Sequence, residues 1–441
     1  MQFGKNNEPM LNRLVSFIVA FFISAAQAEK LAYFPAPVGN PLKGLVPYAG
    51  DWGKEAFPHS MEFSYLPISA VMKGWEEFDW SPLEEKLETG KKRRKQLVFR
   101  LYLEYPGKKS GVPEFLLNEG VALTKWRDAG QENLSPDYED PRLRKAIREC
   151  LAEMGKKYDG DPRIGFITAG ILGLWGEWHN YPRVDLAAKP EVQDEVMSAY
   201  EKAFRTTPIL LRYPATKGNA HYADNSERRF GYHDDSFAWA TLETGKEEDS
   251  WFFVPSMKHA GVMEKWKRFP IGGEIRPEIW PTVFTNITHP KEQSFVDCVR
   301  ETHASWLLDT GMFSDRYPKD KARRNRALKE VAMMGYELHV SEARMEGPVL
   351  KVTIENRGVA PFYYNWPVLL TYSLEKGKNV VRKTDWKLRE ILPGKPMEFE
   401  ERLEKEPFFV DIHIPNPMKG GAPLRFANKD REDGVLRLLE R

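Results

Sequence analysis

The chain has 441 residues, more than one hydrophobic core usually serves, and its 65 basic and 64 acidic side chains leave a net charge of +1. That balance excludes the basic footprint of a nucleic-acid binder or of a protein held on an anionic membrane. Two cysteines exclude a disulfide-dense scaffold. Cys150 and Cys298 both fall on amphipathic helical stretches and read as buried core residues, and no ligand-spaced Cys/His cluster marks a structural zinc.

In chain order, Lys5 and Arg13 lead into an apolar run from Leu14 to Ala26, and Ala26-Gln27-Ala28 supplies the small residues of a signal-peptidase site. The run is short for a bilayer, which takes about 20 residues. Residues 1–28 therefore read as a signal peptide cleaved after Ala28, and the remainder as a secreted or periplasmic chain with no stable membrane span. An uncleaved anchor is the other reading.

From residue 41 to 335, short apolar runs alternate with helical stretches. Runs at 45–48, 61–66, 97–103, 164–169, 208–212, 229–233, 270–275 and 304–308 are brief, rich in β-branched or aromatic residues and bounded by turn formers, as buried parallel strands are. Asp140-Pro141 opens a helix over 141–158 that aligns Leu143, Ile147, Cys150, Leu151 and Met154 on one face. Further helices are expected over 190–204, 289–302 and 320–334. Eight strands with interleaved helices predict a (β/α)8 TIM-type barrel over 29–335. No Gly-x-Gly-x-x-Gly or P-loop argues for a nucleotide, and no cofactor is expected. After Gly335 the helices stop. Strands at 336–340, 349–355, 367–373, 397–403 and 408–414, parted by turns such as Pro393-Gly394, predict a small antiparallel β-sandwich domain over 336–441.

Barrel active sites form where strands end, at their C-terminal side. The fourth strand runs into Gly173-Leu174-Trp175-Gly176-Glu177-Trp178-His179-Asn180, a carboxylate among tryptophans on a glycine-loosened turn. Neighbouring rings would raise the pKa of such an acid, as a proton donor at neutral pH requires. The seventh strand ends in Gly272-Gly273-Glu274, a second carboxylate behind two glycines. Carboxylates after strands four and seven would face each other across a barrel mouth, the arrangement that two-carboxylate glycoside hydrolysis demands. Each also has a bland reading: Glu177 as a surface residue beside packing tryptophans, Glu274 as the partner of a neighbour such as Arg276.

Arg100 and Arg212 interrupt apolar strands with cations that need acidic partners, catalytic or structural. His233 and Asp234 suit sugar hydroxyls or a loop anchor. Tyr48, Asp51 and Trp52 after strand one and Tyr65 on strand two are weaker candidates, and Trp175, Trp178 and His179 complete the candidate sugar-binding set. Aromatics make up 12% of the chain, 13 of them Trp, which suits a sugar cleft and equally suits core packing. Tyr363, Tyr364 and Trp366 in the second domain read either as a glycan platform or, more simply, as core. No metal is expected; a site centred on His179, His233 and Asp234 is the weakest alternative.

These segments resemble the bacterial family of domain of unknown function 4832, whose barrel is similar to the clan A glycoside hydrolases. The likeness rests on Asn40-Pro41-Leu42-Lys43-Gly44 with Tyr48, Tyr158-Asp159-Gly160-Asp161-Pro162-Arg163, Gly173 to His179, Gly272-Gly273-Glu274, and, in the second domain, Asn356 to Tyr364. It implies an acid/base role for Glu177 and a nucleophile role for Glu274. One departure is Gly176, where clan A enzymes carry Asn before the acid/base. The chain is thus expected to be an exported glycosidase cleaving a polysaccharide or oligosaccharide, or else a non-catalytic carbohydrate-binding or envelope-structural protein on the same barrel.

Overall fold

In the computed structural model, which describes residues 29–53, 55–375, 377–429 and 433–440, the eight apolar runs form eight parallel strands. They are β1 (Gly44–Val46), β2 (Met61–Pro67), β3 (Gln96–Glu104), β4 (Ile164–Leu174), β5 (Ile209–Leu211), β6 (Gly231–Phe237), β7 (Ile271–Ile275) and β8 (Ala304–Leu308). The sheet order is β1-β8-β7-β6-β5-β4-β3-β2. Its two edges meet through a parallel bridge between Tyr48 and Phe63, where Phe63 N–H donates to Pro47 and Ala49 N–H to Phe63, both at 2.8 Å. The result is an α/β barrel. The signal-peptide reading concerns residues 1–28, which lie outside the described residues; among those described, no helix is long and apolar enough to cross a membrane.

Helices α1 (Ser81–Lys92), α2 (Pro141–Tyr158), α3 (Pro190–Ala203), α4 (Phe253–His259), α5 (Phe295–Thr302) and α6 (Lys321–Ala332) cover the outside. The start of α2 follows from its sequence. The Asp140 carboxylate accepts the Arg142 N–H at 2.8 Å, Pro141 takes the first turn, and the face from Leu143 to Tyr158 is buried. Helix α5 is shorter than expected, because residues 289–294 form a turn that ends with Ser294 capping the helix. No helix follows β1 or β5 among the described residues. The β3–β4 connection instead adds a hairpin of Leu123–Asp128 and Gln131–Pro136. Both cysteines are buried and free.

Residues along each strand alternate between the helices and the barrel interior, as strand geometry requires. The interior is filled by rings. Phe166 stacks on Trp306 at 5.8 Å, and His233 lies 5.5 Å from the same indole. The indole has room because position 272 is glycine: a Cβ there would sit 2.4 Å from Trp306.

The C-terminal region forms two four-stranded antiparallel sheets. One orders Glu29–Lys30, β9 (Leu338–Glu346), β10 (Val349–Asn356) and β13 (Met397–Arg402); the other orders β12 (Lys378–Lys383), β11 (Leu369–Glu375), β14 (Phe409–His413) and β15 (Leu436–Glu440). Their buried side chains join those of the lower barrel, such as Met61, Val98 and Phe166, in one apolar cluster. Polar contacts pin the same boundary. Tyr364 O–H donates to the Gly165 carbonyl, Tyr363 O–H to Trp266 O at 2.6 Å, and Tyr336 O–H to Pro41 O at 2.9 Å. The rings at 363, 364 and 366 therefore seal the N-terminal end of the barrel and its sheets, the core alternative of the two open from sequence.

Gly272→Ala is expected to destabilise the fold by about 1–3 kcal/mol, the usual cost of forcing a methyl into a packed interior. Thermal unfolding measures it. Pairing it with Trp306→Phe should recover part of the loss, since the smaller ring clears the methyl; strict additivity of the two changes would refute the stated cause.

Candidate active site

At the C-terminal end of the barrel the interior becomes polar. Arg100, projecting inward from β3, is fully buried and spends its guanidinium on four neighbours. It donates to Glu177 Oε1 at 2.7 Å, Thr168 Oγ1 at 3.0 Å and Tyr65 Oη at 3.3 Å, and its Nη2 lies 3.3 Å from a ring nitrogen of His233. Its Cζ also lies 5.5 Å from the Tyr65 ring centroid and 5.8 Å from that of Phe63. Burial, and then Arg100 itself, hold the His233 imidazole well below its ordinary pKa, so it stays neutral beside the guanidinium. His233 is 1% exposed and sits beneath Arg100. It supports the site instead of facing its opening.

A second ion pair stands beside the first. Arg212, after β5, pairs with Asp235 on β6 and stacks 4.0 Å over the Tyr213 ring, which in turn stacks on Tyr222 at 4.3 Å. Burial opposes the charged form of Asp235, but Arg212 outweighs it and holds that carboxyl well below the usual range. In the sequence Asp234 is the sugar-binding candidate, and Asp235 enters only through the His233-Asp234-Asp235 run, a weak signal for a metal. Asp234 is used elsewhere. Its carboxylate accepts Thr241 O–H at 2.6 Å and Ser236 N–H at 3.0 Å, anchoring the turn after β6, and burial raises its pKa to about 6. The period-two rule held the signal: if His233 points inward, so does Asp235, and Asp234 points away.

Glu177 sits on a turn of unusual backbone. Trp175 and Trp178 have left-handed φ values of 53° and 62°, and Gly176 one of 72°. A Cβ at 176 would lie 3.0 Å from Leu101 O and 3.1 Å from Gly170 Cα, so the turn carries glycine because the chain passes directly over β3. An anchor holds the turn. Glu104, at the end of β3 and buried, accepts from Ser135 O–H, from Tyr138 O–H at 2.5 Å and from Asn180 Nδ2 at 2.9 Å, while Gly173 N–H donates to Tyr138 Oη at 2.7 Å. Trp178 belongs to this scaffold: it is buried in the helix-side core and its indole N–H donates to Ala169 O at 2.7 Å. Trp175 is half-buried, 6.3 Å from the His179 ring, and His179 Nε2 lies 3.7 Å from Glu177 Oε2.

Glu274 points into the same space from β7. Only 8% exposed, its carboxyl makes no hydrogen bond or ion pair among the described residues. Arg276 does not hold it; that guanidinium pairs with Glu278 and donates to Ser236 Oγ at 3.3 Å. Burial first, and then the charge of Glu177, push the Glu274 carboxyl well above its ordinary value. Burial and the two glutamates likewise raise the phenols of Tyr48 and of Tyr105, a residue that sequence reasoning missed, so both remain neutral donors. Asp51 is exposed and accepts the Gly53 N–H at 3.0 Å, and Trp52 packs on Phe313.

The barrel thus brings together Glu177, Glu274, Arg100, Arg212, His179, Trp175, Tyr48 and Tyr65, and adds Asp235 and Tyr105. Glu177, His179 and Asp235 offer ligand atoms within 4.8 Å of one another, a donor set that a divalent cation accepts. This differs from the trio His179, His233 and Asp234 weighed from sequence, which the structure does not assemble. Two guanidiniums already neutralise two of these carboxylates, and an ion there would sit beside both. Compared with protein-family models and with curated protein sequences, the chain matches none.

The folded pKa of Glu274 lies above the ordinary 4.5. The stability its protonated form contributes is therefore complete below 4.5 and drains away as pH rises toward the folded value. Glu274→Gln keeps the shape and removes that titration. The melting temperature of the variant relative to the parent should climb as pH rises above 4.5; an unchanging difference would show that Glu274 ionises freely.

Proposed function

We propose that the chain is a glycoside hydrolase acting on a polysaccharide or oligosaccharide through Glu177 and Glu274. The observation that carries this reading is the pairing of two buried carboxyls at one barrel mouth, one charge-matched by Arg100 and the other unmatched and protonated. A buried carboxyl that keeps its proton, beside a carboxylate ion-paired with arginine, supplies an acid and a charged partner together.

The proton balance also suggests which is which. Glu274 holds a proton to give to a glycosidic oxygen. Glu177, ion-paired with Arg100, is poised to stabilise or attack the anomeric carbon, or to activate water against it. The resemblance to clan A enzymes implies the reverse order. Trp175 offers an apolar face to a sugar ring, while Tyr48 and Tyr105 offer neutral hydroxyls to its oxygens. In this reading the protein is exported by its N-terminal segment, and the two C-terminal sheets form a β-sandwich that buttresses the barrel.

Glu177→Gln and Glu274→Gln should each slow hydrolysis of an unactivated glycan by about 10²–10⁴-fold. A dinitrophenyl glycoside, whose leaving group needs no protonation, separates the roles. The variant lacking the acid should cleave it at near the parental rate, and the variant lacking the charged partner should not. Full activity of either variant on the unactivated glycan would end the hypothesis. Glycan binding without turnover by the parent would instead favour the non-catalytic alternative.

A metal-dependent hydrolase is the second reading, supported by the convergence of Glu177, His179 and Asp235. Chelation discriminates between the two. Dialysis against EDTA should leave the rate unchanged under the two-carboxylate mechanism, whereas loss restored by a divalent ion would transfer the assignment to the metal site.

A further inference from the structure

Away from the barrel mouth, a cleft of about 380 Å³ opens where the loop before β7 meets the C-terminal sheets, lined by Lys267, Arg268, Asn365, Lys387, Arg389, Glu390 and Leu392. Four of these seven side chains are cations and one is an acid, in a chain whose overall charge is only +1. The chain elsewhere matches its arginines generously: Arg163 reaches Asp161, Glu84 and Glu88, and Arg344 reaches Glu342, Glu346 and Glu398. In the cleft, only Lys267 has a partner, Glu264; Arg268, Lys387 and Arg389 make no ion pair among the described residues. Like charges gathered without counter-charges repel one another, and an anion seated among them relieves that repulsion.

The walls are fixed before any ligand arrives. Tyr363 O–H donates to Trp266 O at 2.6 Å, the Trp266 ring stacks on His303 at 3.7 Å, and His303 Nδ1 meets Val359 O at 2.5 Å. These contacts tie the barrel wall to the C-terminal wall beside the cleft, so binding need not first order it.

We propose that this cleft is a second carbohydrate site that binds acidic polysaccharide through its carboxylate or sulfate groups. Its volume lies within the roughly 300–1,000 Å³ of small-molecule sites and exceeds the need of a lone phosphate. The Asn365 amide supplies donor and acceptor for sugar hydroxyls, and Leu392 supplies an apolar contact for ring C–H groups. None of the seven lining residues is aromatic, whereas single-stranded nucleic acid is bound by stacking rings along a basic track. The site is separate from Glu177 and Glu274, and its existence does not require that those residues hydrolyse anything.

The test uses the full chain and three polymers: polygalacturonate for carboxylates, dextran sulfate for sulfates and uncharged dextran. Calorimetry should register binding to at least one acidic polymer, weakening as salt is added, and none to dextran. Lys387→Glu with Arg389→Glu should lower that affinity about tenfold or more. The milder Lys387→Gln with Arg389→Gln should lower it less, with unfolding temperature retained in both. Lys109→Glu with Lys405→Glu makes the same change in net charge at exposed positions outside the cleft, and should leave binding intact. Equal loss in that control, binding to neither acidic polymer, or duplex DNA bound as tightly as the glycans would each overturn the proposal. Because the readout is binding, failure here leaves the hydrolase reading untouched, and loss of hydrolysis in Glu177→Gln leaves this one untouched.

Discussion

A guanidinium buried at the centre of the barrel sets the terms for everything around it. Arg100 is 2% exposed, and a charge so placed survives only if every donor finds a partner. Its partners are four neighbouring side chains: Glu177 for the charge, Thr168 and Tyr65 for two further donors, and neutral His233 for the remainder. The upper interior holds three inward carboxyls, Glu177, Asp235 and Glu274, and two inward guanidiniums, those of Arg100 and Arg212. Each guanidinium takes one carboxylate. The third acid has none, and burial together with the charge of Glu177 makes it keep its proton. The protonation pattern of the mouth thus follows from a count of partners before any substrate is considered.

That polar layer rests on a column of rings reaching the opposite end of the barrel. Tyr364 from the C-terminal region meets Phe166 at 6.1 Å, Phe166 stacks on Trp306, Trp306 meets His233, and His233 meets Arg100. A barrel closed by packed side chains needs its N-terminal end filled as firmly as its middle. Here the filling comes from the second region of the chain, through Tyr336, Phe362 and Tyr364. Lys43 makes the same seam costly to open: it is buried, with its ammonium donating to Tyr336 O at 2.8 Å and Ala332 O at 3.0 Å, and burial lowers its pKa to about 8. The C-terminal sheets therefore act on the floor beneath the site and leave the mouth to the loops after the strands.

The strands of the barrel were legible because each is a short, mostly apolar run between turn formers, and all eight appear in the expected places. What sequence could not supply was partner identity. Trp175 and Trp178 both flank Glu177 in sequence, yet one lies beside the site and the other anchors the turn from behind, a difference set by backbone angles that no side-chain pattern announces. Asp234 and Asp235 are told apart only once the phase of the strand is known. Strand β12, Lys-Asn-Val-Val-Arg-Lys, is a mostly exposed edge strand whose charges hide the alternation, and Glu29–Lys30 joins its sheet by backbone bonds alone. Among the described residues the connections after β1 and β5 are loops, and they carry Tyr48 and Tyr213. Glu104 escaped notice because a glutamate ending a strand looks like any solvated side chain until Ser135, Tyr138 and Asn180 are folded around it.

The distribution of strain supports a reactive reading of the mouth. Two tryptophans in the left-handed region, each costing on the order of 1–3 kcal/mol, lie within one five-residue turn beside a buried carboxyl that no group among the described residues satisfies. A barrel selected for stability alone would replace Glu274 by an apolar residue or give it an arginine, as it gave one to Asp235. The same chain shows that it can do so a few ångströms away. Stability surrendered at one point, where a protonated acid is buried without a partner beside an ion-paired carboxylate, is the pattern expected of a site whose groups act on something that enters from outside.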